Sequence, residues 1–378
     1  MTRRPRNEGS IYQRGDGRWV ASVSLGVDGS GKRLRKVVYA DSRKAAHQKL
    51  AAALRAAQEG ANPAPDRLAL REFLEDWLEV SVRPTVRPRT LESYRYIVRH
   101  HLAPGLGAVP VSKLTARDVQ AFLNARLASG LSPRTVQYIH AVLRRALGQA
   151  VRWGALARNV ATLADPPRAS RPEVRPLTAD QARVLLASVR GDRAEALYHV
   201  ALGVGLRQGE ALGLKWDDVD LDARELKVRR TLQRSYGAVR EADPKTVRSK
   251  RTLALPESVV ASLREHRVRQ LEDRLLAGSR WVENGYVFTS SIGTPLDGSN
   301  VTHRFHRDLE AAGLPRQRFH DLRHACASFL LAQGVHPRVV METLGHSQIS
   351  LTMDTYTHVV PSLQRDAADR IDAVLRAV

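Results

Sequence analysis

Residues 316–360 read RQRFHDLRHACASFLLAQGVHPRVVMETLGHSQISLTMDTYTHVV, and how this stretch divides decides the fold of the carboxy-terminal half. Leu322, Ala325, Cys326, Phe329 and Leu330 recur at helical spacing as one apolar stripe, while His320 and Arg323, three apart at the start of the same helix, share a face. Polar side chains in a first turn, beside the positive end of the helix dipole, are placed for an anion. The segment HPRVVMETLG predicts a short helix stopped by Gly345, with His346 in the turn beyond. Ser350 can then cap a further helix that carries Tyr356, the only tyrosine after Phe288. A phenol can attack phosphorus and hold a phosphotyrosyl bond that conserves the energy of the phosphodiester, so no ATP is needed.

Upstream, residues 199–221 (HVALGVGLRQGEALGLKWDDVDL) predict a buried apolar helix that breaks at Gly205 and sets Arg207 at the start of the next, with Glu210 one turn on. In isolation an Arg and a Glu so spaced make an ordinary helical ion pair. Residues 224–256 (RELKVRRTLQRSYGAVREADPKTVRSKRTLALP) read as a strand, a turn, and a second strand entered through a tight basic bend. The last domain holds four lysines, Lys215, Lys227, Lys245 and Lys250, and the last two flank this bend. A lysine on a hairpin can deliver a proton to a leaving oxygen. Basic residues at a solvated hairpin tip are equally ordinary. His303, His306, His320 and His324 lack the spacing of a zinc motif, so neither a metal nor another cofactor is expected.

Two arginines, a lysine, two histidines and a tyrosine are the groups an in-line displacement at a phosphodiester requires. Forked guanidinium donors can hold the non-bridging oxygens and neutralise developing charge, histidines can bond phosphate or move protons, and the lysine can protonate the leaving 5′ oxygen.

The chain of 378 residues carries a formal net charge of +21, which favours a polyanionic partner, nucleic acid foremost. The excess lies early. The first 170 residues hold 29 Lys or Arg against 13 Asp or Glu, and the remainder 31 against 26, as expected if the first half tracks phosphates. The single cysteine, Cys326, excludes an internal disulfide and fits a reducing compartment, and its apolar neighbours mark it as a small buried hydrophobe. MTRRPRNEGS lacks the apolar centre of a signal peptide and no long uncharged apolar run follows, so a soluble cytoplasmic protein is expected.

Toward the amino terminus, GSIYQR, RWVASVSLG and RLRKVVYA predict a small antiparallel sheet, followed by a helix capped at Ser42. Tyr12, Trp19 and Tyr39 among basic residues would suit insertion into a groove, although aromatics on strands are more often packing. A proline-rich linker at 61–67 leads to four helical segments between Leu68 and Leu163, with Ser132 and Pro133 as a start and Gly130 and Gly154 as stops. A second linker, 165–176 (DPPRASRPEVRP), precedes a domain of mixed α and β structure opened by a helix capped at Thr178.

Together these boxes resemble the tyrosine recombinases, or phage integrases, over the whole chain. The G-L-R-x-G-E box stands at Gly205, Leu206, Arg207, Gly209 and Glu210, the H-x-L-R-H box at His320 to His324, and the L-G-H box at Leu344 to His346, followed by TMDTYTHV. The resemblance implies a site-specific DNA recombinase that integrates or excises a phage or mobile element through a 3′-phosphotyrosyl intermediate. The implied catalytic residues are Arg207, Lys245, His320, Arg323, His346 and Tyr356. Lys250 stands as the alternative to Lys245. The implied domains are an arm-type DNA-binding domain at 1–62, made of the small antiparallel sheet plus a helix, an all-α four-helix core-binding domain at 68–165, and a mixed α+β catalytic domain with a terminal helix at 172–378. The implied partners are double-stranded DNA at core and arm sites, three further copies in a homotetramer on DNA, and a directionality factor or DNA-bending protein. A type IB topoisomerase shares this chemistry, and a DNA-binding protein with an inactive catalytic domain shares the layout. The arm-like domain argues against the first and the complete set of six residues against the second.

Overall fold

A computed structural model describes residues 9–27, 33–58, 67–170, 175–243 and 250–345, together with 372, 375 and 376. The chain divides into two compact units, Met1–Arg171 and Pro172–Val378.

In the first unit, β1 (Ser10–Gln13), β2 (Trp19–Val27) and β3 (Arg33–Ala40) form an antiparallel sheet in that order. The register sets Ile11 and Val38 on either side of Ala21, so residues of one pleat face lie together under α1 (Arg43–Gln58). Ala21, Val23, Ala40, Ala46 and Leu50 are the small core so formed. Ser42 caps the helix as its residue type predicts, its Oγ accepting from the Ala45 N–H at 3.2 Å. Trp19 packs against this core, whereas Tyr12 and Tyr39, paired to either side of Val20, are half exposed.

A second core in the same unit belongs to four helical rods. These are α2 (Leu70–Trp77) continued by a π turn to Val82, α3 (Pro88–Ile97) continued through a π turn into α4 (Ala103–Leu106), α5 (Ala116–Ala128), and α6 (Pro133–Arg152). The starts follow from local chemistry: Thr115 and Asp118 form a reciprocal capping box, and Ser132 accepts from the Thr135 N–H ahead of a proline at the first helical position. Gly130 and Gly154 take φ of +89° and +72° at the expected stops. Leu74, Trp77, Leu123, Ile139 and Leu143 fill the centre.

The second unit opens with α7 (Ala179–Ser188), whose Thr178 and Gln181 form another capping box. Next comes α8 (Glu195–Gly203), on which Ala196, Leu197, Tyr198, Val200, Ala201 and Leu202 are all buried, as an apolar helix inside a core must be. After α9 (Gln208–Leu212), the strands β4 (Val219–Asp220), β5 (Glu225–Val228) and β8 (Arg251–Ala254) make a three-stranded antiparallel sheet with Leu226 opposite Leu253. Between β5 and β8 lies a separate hairpin, β6 (Thr231–Ser235) and β7 (Ala238–Ala242), where the sequence reading placed only a turn. Its two-residue tip, Tyr236 and Gly237, has φ of +49° and +76°, the mirror-image turn that matches strand twist. Tyr-Gly lacks the Asn-Gly or Asp-Gly signature, and so gave no hairpin signal. Helices α10 (Glu257–Ala277), α11 (Gly298–Ala311), α12 (Asp321–Ala332) and α13 (Pro337–Leu344) complete the described part. Phe305 packs edge-on against both Tyr198 and Phe319, Phe319 lies tilted against Tyr198, and the Tyr198 hydroxyl donates to Asp308 Oδ2 at 2.6 Å.

Candidate active site

The site assembles around the carboxy-terminal end of α13. That helix stops at Gly345, which adopts the left-handed conformation (φ +66°, ψ +47°). A helix end leaves its last carbonyls without intrahelical partners and carries the negative end of the dipole. Here three successive carbonyls each accept from a different arginine. Arg251 Nε donates to Thr343 O at 2.9 Å, Arg323 Nη2 to Leu344 O at 2.5 Å, and Arg207 Nη2 to Gly345 O at 3.0 Å.

Arg207 occupies the cap position of α9, and Gly205 puts it there by leaving α8 through a positive φ of +68°. Its backbone N–H donates to Glu210 Oε2 at 3.1 Å and its Nη1 to Oε1 at 2.7 Å, so the ion pair expected of this spacing is present. Arg323 lies in the first turn of α12 and is only 1% exposed; its Nη1 also donates to Gly205 O at 2.7 Å. The sequence reading set His320 and Arg323 on one face open to an anion. Packing instead covers Arg323 and leaves His320 more than a third exposed.

Glu210 is buried, and burial alone would raise its carboxyl pKa. The guanidinium groups of Arg251 and Arg207 outweigh that and hold it below the usual carboxylate range. Three guanidinium groups against one carboxylate leave the cluster cationic. The rings of His320 and His324 meet edge-on at 5.2 Å. Despite its exposed edge, the protein packed around His320, with the His324 ring and the Arg323 guanidinium nearby, pushes its pKa down to about 4, and burial lowers that of His324 as well. Both imidazoles are therefore neutral near pH 7. Cys326 is buried behind the cluster, its thiol pushed up to about 12 by burial, which fits an inert packing role.

Of the six residues carried by the resemblance, the structure brings Arg207, His320 and Arg323 to one place; Lys245, His346 and Tyr356 lie outside the described residues. Lys250 is exposed and sits 3.3 Å from Asp243. Lys215 is engaged elsewhere, 2.7 Å from Glu241 and over the ring of Tyr286. Lys227 projects from β5 into solvent. Arg251 was not singled out in the sequence, where it is one of several basic residues in RSKR and nothing in its spacing distinguishes it.

Residues 175–362 match the model of the phage integrase family, and residues 69–127 match that of the phage integrase N-terminal SAM-like domain. A tyrosine recombinase XerC-like protein of Caldanaerobacter subterraneus is 33% identical over 93% of this chain and 95% of its own length. An integrase of Streptomyces ambofaciens is likewise 33% identical, over 99% and 98%. Among solved structures, the Tn1549 transposon integrase in complex with a circular intermediate DNA superposes with a TM-score of 0.68 at 21% identity, over 80% of this chain and 99% of that one. A lambda integrase dimer bound to a core site gives 0.58 at 18% identity, over 94% and 96%. At these identities the structural matches establish the fold.

The chain belongs to the phage integrase family, the tyrosine recombinases. It is a site-specific DNA integrase, an enzyme that cuts and rejoins DNA through a covalent protein–DNA intermediate. Among the described residues no helix is long and apolar enough to cross a membrane.

Proposed function

We propose that Tyr356 is the nucleophile and that Arg207, Lys245, His320, Arg323 and His346 complete the catalytic set. The observation that carries this reading is the set of three arginines on the last carbonyls of α13, because the chain runs from that point into His346 and on to Tyr356. Bonds to a rigid helix end fix the guanidinium planes in advance, and pre-aimed donors stabilise a transition state at little reorganisation cost. The Tyr356 oxygen attacks the scissile phosphorus and the bond to the 5′ oxygen breaks, with Lys245 supplying its proton. The 5′ hydroxyl of the partner strand then attacks the phosphotyrosine and releases the phenol. Arg207 and Arg323 neutralise the non-bridging oxygens, while His320, neutral at pH 7, and His346 bond the phosphate and relay protons.

In this reading the enzyme works in the cytoplasm as a tetramer on two duplexes, assisted by a directionality factor or a bending protein. The helical segment grips the core site. The amino-terminal sheet, whose exposed Tyr12 and Tyr39 lie away from its core, takes the arm site. Tyr356→Phe tests the assignment: the variant should bind core-site duplex as the parent does and form no covalent adduct with a nicked suicide substrate. An adduct with Tyr356→Phe would show that another residue attacks.

A further inference from the structure

We infer that Arg251 is a positioning residue for strand cleavage, acting through Glu210 on Arg207; this rests on the reading of Arg207 as a phosphate-binding catalytic residue. Arg251 opens β8, opposite Val228 of β5, and its side chain is 8% exposed. A guanidinium is seldom buried unless it is paired and hydrogen-bonded. Here its Nη2 donates to Glu210 Oε2 at 3.1 Å while its Nε donates to Thr343 O at 2.9 Å. One planar group thus ties the sheet to the start of α9 and to the last turn of α13.

The consequence for Arg207 follows from how Glu210 divides its oxygens. Oε1 accepts from the Arg207 side chain, and Oε2 is shared by the Arg207 backbone and Arg251. Arg251 therefore restrains the carboxylate that in turn sets the plane of Arg207. Remove it, and Glu210 is left to Arg207 alone, free to rotate with it and to draw its charge away from an incoming phosphate. The fit is also steric. A Cβ built on Gly345 would lie 3.1 Å from Arg251 Nη1 and 3.2 Å from its Cζ, so the helix end and the guanidinium are in contact at the one residue that carries no side chain. Lysine would keep the charge, yet a single ammonium lacks the planar fork that reaches a carbonyl and a carboxylate in fixed directions.

The test uses full-length protein and core-site suicide duplexes with either a normal scissile phosphate or a methylphosphonate, in which a neutral methyl replaces one charged non-bridging oxygen. Arg251→Met, Arg251→Lys and Arg207→Ala are compared with the parent under single turnover at saturating DNA. On phosphate, Arg251→Met should cleave about 10²-fold more slowly, the scale of loss when a preorganised donor is displaced, with DNA affinity within about threefold of the parent. On methylphosphonate, where there is less charge for Arg207 to neutralise, the deficits of Arg251→Met and Arg207→Ala should both shrink by about tenfold or more. Arg251→Lys should fall between parent and Met, and stands in for it if the Met variant does not fold. An equal deficit on the two substrates would mark Arg251 as merely structural and overturn the inference, as would a parental rate on phosphate. If Arg207→Ala itself cleaves phosphate at the parental rate, the reading of the site fails. If Arg207→Ala is impaired and the Arg251 variants are not, only the role of Arg251 fails.

Discussion

Glu210 is 4% exposed, and a carboxylate so placed would cost several kcal/mol to keep ionised without partners. Its two guanidinium partners keep it charged, and the same contacts restrain both. Such a pair is better read as a device for geometry than for stability, because buried ion pairs often contribute little net free energy. The histidines differ, since here protonation is opposed. With a folded pKa of about 4 against 6.5 for the free side chain, His320 in the folded protein declines a proton that the unfolded chain accepts as pH falls below about 6.5. Its contribution to stability is thus intact above that pH and declines between about 6.5 and 4. His320→Asn should show a shallower fall in melting temperature from pH 7 to 4 than the parent. An unchanged slope would mean that the imidazole is not held neutral in the folded protein.

At the scale of elements, the break between α8 and α9 does the most to shape the site. Gly205 takes a positive φ, and a Cβ there would lie 2.5 Å from Leu344 Cδ2 and 3.2 Å from Cys326 Sγ. Its carbonyl also accepts from Arg323. Alanine would add about 1–2 kcal/mol of left-handed strain to that clash and push the end of α13 away from the arginines. Gly205→Ala should therefore lower the unfolding free energy by about 1–3 kcal/mol in urea titration and slow cleavage as well. Parental stability would mean that the break tolerates a side chain. This break was legible in the sequence, because an apolar helical run ending in glycine is a local signal. The β6–β7 hairpin was not, since its register depends on a Tyr-Gly turn that composition alone does not mark.

For the whole molecule, the +21 charge predicts binding dominated by phosphate contacts. If six or more phosphates are neutralised, affinity for duplex DNA should drop about 10³-fold or more between 50 and 200 mM salt, measured at equilibrium with the full chain. A drop of less than tenfold would mean that few of the basic residues meet the backbone. What the sequence determined by itself were features with a local cause: helical and alternating apolar periods, caps at Ser42, Thr178 and Ser132, glycine stops, and short boxes whose residue types name a chemistry. It also singled out Arg207 and Arg323, which the structure brings to one helix end. What only the tertiary structure decided was how those arginines are held, which is on the carbonyls of residues 343 to 345, and that a third, Arg251, joins them. The physical reason is distance along the chain. The bonds that tie Arg251 to Thr343 O and Arg207 to Gly345 O span 92 and 138 residues, and the one from Arg323 to Gly205 O spans 118; whether an arginine ends up solvated or buried depends on what packs over it, which no local pattern encodes.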